Sequence, residues 1–87
     1  MATKMQKKIE EIVSVLIKGG WERDRWGHFK KDVGGKVWRV KMQKTSMRLE
    51  KKLGSRWYNS VSDYFSKIDI YEDGLVIKGN KYKLGVK

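Results

Sequence analysis

The stretch KVWRVKMQKTSMRLEKKLGSRWYNSV, residues 36–61, decides the fold. Side chains of a β-strand alternate between two faces, so a half-buried strand reads apolar and polar in turn. Residues 36–43 do this, with Trp38, Val40 and Met42 on one face and Val37, Arg39, Lys41 and Gln43 on the other. Residues 46–53 repeat it, with Met47, Leu49 and Leu53 opposite Arg48, Glu50 and Lys52. Gly54-Ser55 breaks the run, and 56–61 resumes with Trp57 and Val61 opposed to Arg56 and Tyr58.

Upstream, residues 23–31 read as a first strand, closed by the turn residues Asp32-Val33-Gly34-Gly35. Before that the period is helical. Ile9, Ile12, Val13, Leu16 and Ile17, with Met5 a turn earlier, form one apolar stripe within 3–18. Thr3 and Gln6 have capping-box spacing, and Gly19-Gly20 supplies the conformation that stops a helix.

Downstream, Ser60–Lys67 is irregular, with Ser62 able to cap a short helical turn carrying Tyr64 and Phe65. Ile68–Tyr71 and Leu75–Lys78 form a hairpin around Glu72-Asp73-Gly74. Gly79-Asn80 turns the chain into Lys81–Leu84, and the last three residues are expected to fray. The fold class is α+β, an N-terminal helix packed on one face of an antiparallel β-meander sheet of about five or six strands, one domain over 1–87.

Lys and Arg number 21 against 10 Asp and Glu, a net charge of +11. Segments 1–20, 21–59 and 60–87 carry +2, +8 and +1, so the excess is central, where all five Arg lie. Such an imbalance favours a polyanionic partner. Alternation places Arg39, Lys41, Arg48, Lys52 and Arg56 opposite the apolar set, with Arg23 and Arg25 extending the row. Phe29 and Tyr58 then stand among the cations. Cations with interspersed rings suit single-stranded DNA or RNA, because cations follow phosphates while bases stack on rings. The N-terminal helix, with Glu10 and Glu11 among its lysines, lacks side chains for reading a major groove.

Cysteine is absent, which excludes disulfides and thiolate-bound metal. The N-terminal residues lack a signal-peptide pattern and no apolar run is membrane-length, so a cytoplasmic setting without membrane attachment is expected. No motif calls for a cofactor or a metal.

The one histidine is His28, in Trp26-Gly27-His28-Phe29. Residues 9–30, an amphipathic helix, Gly19-Gly20-Trp21 and a strand with Gly27-His28-Phe29, resemble the start of HicA-type toxins. That resemblance implies a small basic ribonuclease with a double-stranded-RNA-binding-like fold and His28 as catalytic residue. It spans about a quarter of the chain, with Trp-Gly-His where the family has Gly-Ser-His and without the later strand and second helix of that fold in evidence. The ribonuclease therefore stands as the alternative to a non-catalytic nucleic-acid binder. A module for an acidic protein partner is a third reading.

Overall fold

The computed structural model describes residues 3–87. Met1 and Ala2, the start of the segment read as lacking a signal, lie outside the described residues. Helix α1 spans Lys4–Lys18 and begins at the expected capping box: Gln6 N–H donates to the Thr3 hydroxyl, and the Gln6 side chain accepts from Thr3 N–H. Ile12, Val15 and Leu16 carry its buried stripe.

Five antiparallel strands follow in sequence order: β1 (Glu22–Arg23), β2 (Phe29–Val33), β3 (Lys36–Met42), β4 (Ser46–Leu53) and β5 (Arg56–Tyr64). The segment expected as one strand over 23–31 is a hairpin. The Asp24 carboxylate accepts the N–H groups of Trp26 and His28, and Gly27 takes a positive φ of 83°, folding the chain back within four residues. One face of this sheet buries Phe29, Val40, Met47, Leu49 and Val61.

The chain then leaves the meander. Phe65–Lys67 forms a 3-10 turn whose Phe65 N–H donates to the Thr45 carbonyl. Phe65 and Ile68, both buried, carry the chain across the apolar face. There β6 (Asp69–Tyr71), β7 (Gly74–Ile77) and β8 (Asn80–Tyr82) make a separate three-stranded antiparallel sheet. The helix and the five-stranded antiparallel meander are the α+β arrangement expected, and the last three strands form a second, smaller sheet. Ile12 and Leu16 from the helix, Phe65 and Ile68 from the 3-10 turn and its end, and Leu75 and Ile77 from the small sheet complete the core.

The turns sit one residue earlier than read from sequence. Glu72-Asp73 are the central residues of the β6–β7 hairpin, and Lys78-Gly79, both at positive φ, of the β7–β8 hairpin. Gly74 lies in strand β7, where an added Cβ would run into the Tyr82 carbonyl. The end of the chain, expected to fray, makes these contacts. Gly85 N–H donates to Asp73 O, Trp21 Nε1–H to Leu84 O, and Lys31 Nζ to Val86 O.

Candidate nucleic-acid interface

Cross-strand partners in an antiparallel sheet share a face, so the register assigns every side chain of β1–β5. The pairs Lys30–Arg39, Lys41–Arg48, Arg39–Glu50 and Lys52–Trp57 lie opposite the core. Glu22, Asp32, Val37, Ser46, Asn59, Ser62 and Tyr64 complete that face, on which Glu50 is the one buried residue. This is the solvated face expected for Arg39, Lys41, Arg48 and Lys52.

Strand β5 departs from the expected alternation. Leu49 pairs with Val61 but Glu50 with Asn59, leaving Ser60 as an extra residue. Such a bulge reverses the phase of all that precedes it on the strand. Trp57, expected in the core, therefore joins the cations. Tyr58 and Arg56, expected among them, turn to the apolar side, pairing with Lys51 and Leu53. They remain exposed, Tyr58 at 49 %, because they lie beyond the core cluster.

Phe29 is a second correction. It pairs with Val40 and is 0 % exposed, so it is core and offers no stacking surface. Arg23 pairs with Phe29 and lies 5.6 Å from its ring centroid, on the apolar side. Arg25 belongs to the β1–β2 turn, 4.3 Å from the ring centroid of the exposed Trp26. Neither arginine extends the cationic row.

At the centre of the open face the Arg39 guanidinium lies 4.1 Å from the Trp57 ring centroid, with Lys52 at 5.9 Å. Arg39 also donates through Nε at 2.8 Å and Nη2 at 2.6 Å to one oxygen of Glu50, and Arg48 Nη1 lies 3.9 Å from the other. Glu50, 5 % exposed, anchors Arg39 beside the Trp57 ring and has Arg48 at its other oxygen. Burying a carboxylate is costly unless it is paired and hydrogen-bonded, and here it is both. At one end of the row Gln43, Ser46, Arg48, Ser62 and Tyr64 line a hollow of about 290 Å³, with Asp63 and Lys78 on its wall.

His28, the residue the resemblance singles out, makes two structural contacts. Its Nδ1 accepts the Met42 N–H at 2.9 Å, and its own N–H donates to Asp24. These two bonds fasten the β1–β2 turn to the end of β3. After three strands the chain continues into a fourth and fifth instead of a second α-helix, so the double-stranded-RNA-binding-like fold is not the one observed.

Desolvation pushes the Asp24 carboxyl up. The two backbone N–H donors, with His28 and Lys30 nearby, outweigh it and hold the group below the ordinary carboxylate value. Among the described residues no helix is long and apolar enough to cross a membrane, and no three His, Asp or Glu side chains gather as a metal site. Compared with known proteins, the chain matches no family model, and no curated protein or solved structure is detectably similar to it.

Proposed function

We propose that the protein binds single-stranded nucleic acid across the open face of its five-stranded sheet. The observation that carries this reading is the register that sets Lys30, Arg39, Lys41, Arg48, Lys52 and Trp57 together on a face where only Glu50 is buried. The cations follow the phosphates, and Trp57 offers the ring on which an unpaired base stacks. Ser46, Ser62 and Tyr64 add hydroxyl donors beside Arg48, a set suited to phosphate oxygens. A sheet face of this kind accepts one strand more readily than a duplex, whose rings are already stacked.

The test is a titration of labelled single-stranded DNA, single-stranded RNA and duplex DNA over a range of salt. Each phosphate neutralised on a single strand lowers the log–log slope by about 0.7, so four to five cations give a slope near −3. Trp57→Ala is expected to weaken binding about tenfold, one stacked base being worth ~1–3 kcal/mol. A slope near zero, or full affinity in a folded Trp57→Ala variant, would sink the reading. Failure of all three nucleic acids to bind at low salt would leave the acidic protein partner to explain the charge.

A further inference from the structure

The opposite side of the sheet carries a second feature. The core fills only part of that face, and between its uncovered portion and the chain end runs an open groove of about 640 Å³. Small-ligand sites span roughly 300–1,000 Å³. Its floor is Trp38, Leu49 and Val33, and its far wall is Trp21, Tyr82 and Val86. Trp38 and Tyr82 are half-buried, so each keeps ring surface in contact with solvent.

Cations surround this lining. Lys31, Lys83 and Lys87 belong to the groove itself, and Lys51, paired with Trp38, lies 5.4 Å from its ring centroid. The one acid of the lining is Asp32, whose carboxylate is turned into its own hairpin and accepts the Gly35 N–H. Apolar rings below and lysines above select a planar aromatic group bearing negative charge. An acyl chain would want a closed tunnel, and this groove is open along its length.

We infer that the groove is a site for one unpaired nucleotide, its base on Trp38 and Tyr82 and its phosphate among Lys31, Lys83 and Lys87. The inference rests on the nucleic-acid reading for its partner, but it uses other residues on the other face of the sheet. Tyr58 and Arg56, turned to this side by the bulge, lie on the same face on the outer strand, where the rest of a strand would pass.

The four tryptophans separate the two sites in a single experiment. Trp38 reports on the groove floor, Trp21 on its wall through the indole N–H held by Leu84 O, Trp57 on the open face, and Trp26 on the distant turn. The four indole N–H resonances are followed by NMR while AMP, adenosine, inorganic phosphate or a short adenine oligonucleotide is added. AMP is expected to move Trp38 and Trp21 in a saturable way and to leave Trp57 in place. Adenosine should bind more weakly, and Lys83→Glu, at an exposed position, should weaken AMP roughly two- to fivefold.

The oligonucleotide is expected to move Trp57 as well. Trp57 shifting while Trp38 and Trp21 stay still with both AMP and oligonucleotide would overturn the groove and leave the open face standing. With the oligonucleotide, Trp38 shifting while Trp57 stays still would do the reverse. An acidic peptide that moves Trp38 where AMP does not would also overturn it, making the groove a peptide site.

Discussion

At the scale of single residues, a few side chains settle questions that composition leaves open. Glu50 is one. Buried at the centre of the basic face, it holds Arg39 through two contacts to one oxygen, with Arg48 3.9 Å from the other. Asp24 is another, and its role has a pH signature. Because its folded-state pKa lies below the unfolded value of about 3.9, its contribution is fully present above that value. It is lost as pH falls through the folded pKa. Acidification below about pH 4 is therefore expected to release the β1–β2 turn before the helix melts. The amide resonances of Trp26 and His28, which Asp24 accepts, should titrate together there, and Asp24→Asn should remove that step. Amides that hold their positions to pH 2 would mean the turn is kept by Gly27 and the strands alone.

At the scale of elements, what the sequence makes legible is what depends on local period. The helix with its cap and the paired strands β3 and β4 were readable, because Trp38, Val40 and Met42, then Met47 and Leu49, alternate without interruption. The small sheet was legible as strands but not as a second sheet, since turn signals at Glu72-Asp73-Gly74 and Gly79-Asn80 carry no word on which layer the hairpins join. The bulge at Ser60 was not legible. Trp57 and Val61 are four apart and both apolar, so strict alternation puts them together, and Asn59-Ser60 is a weak mark of an inserted residue. That one residue decides which aromatic faces the cations, Trp57 or Tyr58.

Two glycines, Gly74 in the small sheet and Gly34 in the β2–β3 turn, give the element-scale test. Gly74→Ala would press a Cβ into the Tyr82 carbonyl and to 2.8 Å from Leu84 N, in backbone that cannot yield without opening β7–β8. A loss of about 2–3 kcal/mol in urea unfolding is expected. Gly34→Ala, with open space around it but φ of +60°, should cost about 1 kcal/mol. Equal costs at both positions would mean that the close approach of the chain end does not hold the small sheet in place.

At the scale of the whole molecule, the charge that favours a polyanion also works against the fold. Eleven net positive charges sit on a body of 42 × 26 × 24 Å. At about 0.01 M salt the screening length is near 30 Å, longer than two of those dimensions, so every cation repels every other. At about 0.1 M it is near 10 Å, and only neighbours interact. Close opposite charges lose little by this, because Arg39 and Glu50 are in contact and largely out of water. Repulsion is therefore what salt removes, and sodium chloride is expected to raise the melting temperature between these two conditions. A gain of about 1 kcal/mol would read as roughly 4–8 °C for a chain of this length. The same salt is expected to weaken nucleic-acid binding, so stability and affinity should move in opposite directions along one titration. A melting temperature that falls with salt would show that attraction between unlike charges outweighs the repulsion among the excess lysines and arginines.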